Sequence, residues 1–113
     1  MCISVDPRTA LYARRCSRRE AQQGGIASQV TSLRQYAAAA GCVVSDQLCF
    51  LDDGYSGATL LRPALQRLRD LAAQGVIDRL YSCSPERLSR DCTHFVVLIE
   101  EFRRSGVEVV FLE

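Results

Sequence analysis

Strand-like and helix-like periodicities alternate along this chain, and that alternation restricts its fold more than any other feature. Residues 9–14 (TALYAR) are short, apolar and aromatic, and read as a first strand running into a charged segment. From Ile26 the apolar positions Ile26, Val30, Leu33, Ala37 and Ala40 follow helical spacing and stop at Gly41, a natural helix terminator. Residues 42–50 (CVVSDQLCF) form a β-prone run, and residues 51–57 (LDDGYSG) have the composition of a turn. Pro63 suits the first turn of a second helix with Leu65, Leu68 and Ala72 on its apolar face, ending near Gly75. A short strand follows around Leu80-Tyr81-Ser82, then a polar connection over residues 84–90. Asp91 can cap a third helix through Phe95, Leu98, Ile99 and Phe102 to Gly106, and residues 107–112 (VEVVFL) make a last strand.

Strands separated by helices imply parallel pairing, because each crossover returns the chain to the same end of the sheet. The expected fold is a three-layer α/β/α domain with a mostly parallel sheet of four or five strands. In such sheets ligands bind beyond the carboxyl ends of the strands. The segments after the first three strands all meet that edge, and each carries arginine.

With 113 residues the chain suits one domain with one core, and no apolar run is long enough to span a bilayer. The first residues lack the pattern of a secretory signal, so a cytoplasmic setting is expected, with the six cysteines (Cys2, Cys16, Cys42, Cys49, Cys83 and Cys92) as reduced thiols. No CxxC pair is present, and Cys83, Cys92 and His94 are poorly spaced for zinc, so no metal or other cofactor is expected. Cys2 and Arg8 match a bare Cys-x5-Arg spacing, but the residues between them lack the glycines of a phosphate cradle.

All 14 basic residues are arginine. They bunch as Arg14, Arg15, Arg18 and Arg19, then Arg62, Arg67 and Arg69, then Arg87 and Arg90. Guanidinium forks suit phosphate oxygens, and with a formal net charge of only +1 any affinity for nucleic acid has to come from a local patch.

Three blocks carry a family resemblance. Tyr12-Ala13-Arg14-Arg15-Cys16-Ser17, then Asp53-Gly54-Tyr55-Ser56-Gly57 followed by Arg62-Pro63-Ala64-Leu65, then Glu86-Arg87-Leu88-Ser89-Arg90-Asp91 occur in the order and at the approximate spacing of serine site-specific recombinases of the resolvase/invertase type. The chain resembles their catalytic domain from about Ala10 to its last residue. The resemblance implies DNA strand cleavage and rejoining without a metal, through a covalent 5′-phosphate link between protein and DNA. It implies double-stranded DNA as partner, and homodimers that pair into a synaptic tetramer. It also implies a dimerising helix and a DNA-binding domain outside these 113 residues. Carried over by position, Arg14, Asp53, Arg62, Glu86, Arg87 and Arg90 take catalytic positions, with Arg14, Arg62, Arg87, Arg90 and Gln29 against the DNA phosphate.

The chain departs from the family pattern at its most consequential position. Cys16 stands where the family has its nucleophilic serine, and Ser17 follows it. Neighbouring arginines favour a thiolate. Three outcomes are open: Cys16 attacks, Ser17 attacks after a one-residue shift, or strand cleavage is lost and the domain binds DNA or a partner. Glu86 replaces the usual aspartate on a longer arm, and Arg15 replaces a usual valine. A flavodoxin-like nucleotide-binding domain would instead need a glycine-rich first loop, which residues 15–19 do not offer.

Overall fold

In the computed structural model, residues 5–6, 8–15, 26–53 and 62–112 are described. Strand β2 (Thr9–Arg15) is the centre of the molecule, and Ala10, Leu11, Tyr12 and Ala13 are each fully buried. Consecutive burial of this kind marks a strand covered on both faces. It pairs in parallel with β4 (Cys49–Asp53) on one side and β5 (Arg79–Ser82) on the other, and β6 (Glu108–Phe111) pairs in parallel with β5. The four-stranded sheet therefore runs in the order β4-β2-β5-β6. A separate two-stranded sheet joins β1 (Val5–Asp6) to β3 (Val43–Val44), also in parallel.

Helix α1 (Ile26–Ala39) covers one face of the sheet, burying Gln29, Leu33 and Ala37 and setting the ring of Tyr36 edge-on to Tyr81 with centroids 5.6 Å apart. It ends as the sequence implies, with Gly41 at φ +86 and Cys42 N donating to Ala37 O at 2.8 Å. On the opposite face lie α2 (Pro63–Ala73) and α4 (Cys92–Arg104). Helix α2 buries Ala64, Leu65, Leu68 and Ala72. Helix α4 buries Leu98 and Phe102 and sets Phe95 beside Phe111 of β6. The two helices are joined by a two-pronged ion pair, Arg69 Nε and Nη2 donating to Glu101 Oε1 and Oε2 at 2.9 and 2.8 Å. The expected three-layer α/β/α fold with a four-stranded parallel sheet is the observed one.

Three local expectations differ from what forms. The single strand expected over residues 42–50 is two strands in two different sheets, separated by a 3-10 turn at Asp46–Leu48. Ser45 Oγ accepts from Gln47 N at 3.3 Å to start that turn, and Arg34 of α1 holds it through Val44 O and Asp46 Oδ1. Residues 51–53 extend β4 instead of turning, in register with Ala13, Arg14 and Arg15 of β2, and Asp52 is buried. The polar connection after β5 contains a one-turn helix, α3 (Pro85–Leu88), with proline at its start and Leu88 fully buried as its anchor. The Asp91 cap of α4 forms as expected, its Oδ1 accepting from His94 N at 2.9 Å.

Phe102 is fully buried in the core, so Phe102→Ala is expected to lower stability by about 3–5 kcal/mol, read from the urea midpoint at unchanged slope.

Candidate active site

Register places Tyr12 and Arg14 of β2, Phe50 and Asp52 of β4, and Leu80 and Ser82 of β5 on the face that α2 covers, since side chains alternate along each strand. Asp52 is 1% exposed and is shared among three donors. Its Oδ1 accepts from Ala64 N at 2.9 Å, and its Oδ2 from Leu65 N at 3.0 Å and from the Tyr12 hydroxyl at 2.7 Å. The carboxylate thus caps α2 from a neighbouring strand, where the N-cap residue, Arg62, makes no side-chain cap itself. Burial holds the Tyr12 hydroxyl protonated far above the usual tyrosine range, which keeps it a donor to Asp52.

Arg62 lies across this group. Its Nη1 donates to the Tyr12 hydroxyl at 3.2 Å, and its Cζ is 5.8 Å from the Tyr12 ring centroid. Burial lowers its pKa below the ordinary arginine value, and the charge of Arg14 acts in the same direction, while Tyr12 and Asp52 oppose both. Arg14 is fully buried. Its backbone is held by Gln29 of α1, whose Oε1 accepts from Arg14 N at 3.3 Å while its Nε2 donates to Arg14 O at 3.0 Å.

Both guanidinium groups reach the last turn of α3. Arg14 donates from Nε to Arg87 O at 3.1 Å and from Nη2 to Glu86 O at 3.0 Å. Arg62 donates from Nη1 to the same Arg87 O at 3.3 Å and from Nη2 to Leu88 O. Arg87 in return donates from Nη1 to Arg14 O at 3.3 Å. Arg14, Arg62, Arg87 and Gln29, drawn from four separate elements, therefore meet at the carboxyl end of β2.

The other candidates are placed differently. The side chains of Arg90 and Glu86 are exposed and line a groove of about 740 Å³ with Pro85, Ser89, Phe95 and Val96. Asp53 ends β4, and its side chain lies outside the described residues, as do Cys16, Ser17 and the 54–57 part of the expected turn. Two members of the polar group were not singled out for function. Tyr12 reads from sequence as core, with stacking on DNA as the alternative; it is core, and its hydroxyl contacts reveal a second role. Asp52 is one of two adjacent aspartates, and the alternation of β4 puts it on the α2 face, a signal available only once the strand is extended through residue 53.

A family model described as "Resolvase, N terminal domain" matches residues 9–113. The chain belongs to the resolvase N-terminal domain family. This resolvase domain is 33% identical over 104 residues to a provisionally named DNA recombinase of Bacillus subtilis (strain 168), a match that covers 91% of the chain and 20% of that protein. The chain thus spans about a fifth of that relative. Among solved structures it resembles the N-terminal catalytic domain of TP901-1 integrase, at 31% identity and TM-score 0.81 over 93% of this chain and 76% of that one. It also resembles the C-terminal catalytic domain of ISC1926 TnpA, an IS607-like serine recombinase, at 26% identity and TM-score 0.81 over 94% and 67%. The family is that of serine recombinase catalytic domains. No helix among the described residues is long and apolar enough to cross a membrane.

Tyr12→Phe removes one hydroxyl from a closed group and is expected to cost about 1–2 kcal/mol in urea unfolding. Asp52→Ala orphans two buried amides and the Tyr12 hydroxyl together and is expected to cost about 3 kcal/mol or more in the same measurement.

Proposed function

We propose that this resolvase domain cleaves and rejoins double-stranded DNA by transfer of a backbone phosphate to one of its own side chains, with guanidinium groups supplying the positive charge that the step needs. One observation carries the proposal: Arg14 and Arg62, from separate segments, place donors on one atom, the carbonyl oxygen of Arg87. Groups that converge on one acceptor can converge on the oxygens of a phosphate. Negative charge gathers on the non-bridging oxygens during transfer, and pre-positioned donors in a site shielded from water stabilise it strongly.

In the step itself, the thiol of Cys16 or the hydroxyl of Ser17 gives up its proton and attacks phosphorus. The new bond is sulfur–phosphorus or oxygen–phosphorus, and the bond to the 3′ oxygen breaks. The 3′ oxygen takes up a proton and leaves as a hydroxyl, while the 5′ phosphate stays on the protein. Rejoining reverses these events with a 3′ hydroxyl as nucleophile. Arg90 brings charge from the solvent side of α3, Arg14 and Arg62 from its inner side, Arg87 is hooked between them onto Arg14 O, and Gln29 holds the Arg14 backbone in place. Glu86 supplies a carboxylate beside Arg87 and Arg90, and the resemblance gives Asp53 a second one. The resemblance adds dimers that pair into a tetramer, with the remaining parts of a longer recombinase supplying site choice.

Cys16 at the position of the family's serine favours a second reading, a domain that keeps the fold and the arginines for binding and has given up cleavage. The two are separated by a covalent adduct assay on site-containing supercoiled DNA, with the domain joined to recombinase dimerisation and DNA-binding parts. Adduct is expected from the parent, with loss in Cys16→Ala and retention in Ser17→Ala; the opposite pattern assigns Ser17. Absence of adduct from both the parent and Cys16→Ser selects the binding role. Where adduct forms, Arg87→Ala is expected to slow its formation by about 10²- to 10³-fold, the loss typical of one oxyanion donor, with folding unchanged by circular dichroism.

A further inference from the structure

Arg14 and Arg62 are 0% and 1% exposed, and the donors described above are spent on carbonyls and, for Arg62, on the Tyr12 hydroxyl as well. A guanidinium buried in this way meets a DNA phosphate only if something in front of it moves. Among the described residues, the groups that these guanidiniums meet on the α3 side are the carbonyls of Glu86, Arg87 and Leu88, three in succession at the end of α3. A carbonyl offers these donors a dipole, whereas a phosphate offers them a full negative charge and a two-pronged geometry.

Helix α3 is built to be moved. It has four residues, and a helix that short has no stability of its own. Its N-cap, Ser84, makes no side-chain cap bond, and its backbone bonds include Arg87 N to Ser84 O at 3.1 Å and Ser89 N to Pro85 O at 2.9 Å. Among the described residues, the contacts that hold it inward include the buried Leu88 side chain, the donors of Arg14 and Arg62, and the bond from Arg87 to Arg14 O. On its outer side lies the open groove of about 740 Å³, lined by Pro85, Glu86, Ser89 and Arg90 from α3 and its continuation and by Phe95 and Val96 of α4. The arginines face one side of α3 and free space faces the other.

We propose that α3 is a displaceable plug whose three terminal carbonyls hold Arg14 and Arg62 until a DNA phosphate takes their place and α3 shifts toward the groove. This rests on the phosphate-transfer reading of the site and adds its regulation. Arg87 is part of the same clasp, since its guanidinium lies on Arg14 O, so one displacement releases it together with the two inner arginines. The charge that drives strand transfer is then assembled by the phosphate it acts on, and the site stays closed toward other anions that cannot move α3.

Hydrogen exchange of the 113-residue chain, with and without a short duplex of arbitrary sequence at low ionic strength, tests this. The plug predicts faster exchange across residues 84–89 in the complex, against the usual direction of protection on binding. Leu88→Ala weakens the inner anchor and is expected to bind the duplex up to about 10-fold more tightly, since less of the binding energy goes into opening. Unchanged or slower exchange over residues 84–89 in a chain that binds the duplex overturns the plug and leaves phosphate transfer standing. So does a folded Leu88→Ala that binds no more tightly than the parent. No binding by either chain overturns the plug, and no covalent adduct from the chain joined to recombinase dimerisation and DNA-binding parts overturns phosphate transfer with it.

Discussion

A single buried carboxylate organises the charged interior of this domain. Asp52 sits on a strand, yet its oxygens finish the first turn of α2 and anchor the Tyr12 hydroxyl, which in turn receives Arg62. Burial of a cation as large as arginine is costly unless opposite charge and hydrogen-bond acceptors are close by. Asp52 supplies the charge, and the carbonyls of α3 supply much of the acceptance. Without that carboxylate, the start of α2 would lose its cap and Arg62 the tyrosine hydroxyl's fixed position, so helix and site are secured by the same atoms.

From this anchor the arginines form a gradient from interior to solvent. Arg14 and Arg62 lie inside, Arg87 is half-buried and hooked back onto Arg14, and Arg90 is exposed at the groove. The inner pair is constrained by contacts from β2, α1, α2 and α3, which limits its freedom of orientation; the outer pair sits on a single turn of helix and its continuation. A rigid inner shell and an adjustable outer one suit chemistry in which the reacting phosphate has to be admitted before it can be held.

Most of the fold was legible in the sequence because its elements follow simple periods. The helices show their buried stripes in Leu33 and Ala37, Leu65 and Leu68, and Leu98 and Phe102, and the central strand shows itself as an unbroken apolar run. The region from Cys42 to Asp53 was not legible, because its run of β-prone residues hides a turn created by Ser45 and by Arg34 of the preceding helix. The site was legible as three blocks of residues, and Arg14, Arg62, Arg87 and Gln29 do come together. What no block shows is the direction of contact: arginines suited to an external anion are found on backbone carbonyls of their own chain. Asp52 escaped notice for a related reason, since a carboxylate that caps a helix from another strand leaves no trace at the helix's own first residue.

The parallel order of the sheet also has a consequence for biosynthesis. The strand at its centre is translated before both of its neighbours, β4 following after a full helix and β5 not before residue 79. Until then an apolar, β-prone segment waits on the ribosome without the partners that will cover it. Such long-range closures make folding slow and leave the nascent chain open to wrong associations. The segment that bears the first arginine block thus waits through some seventy residues of synthesis, from Thr9 to Arg79, before its second neighbour exists.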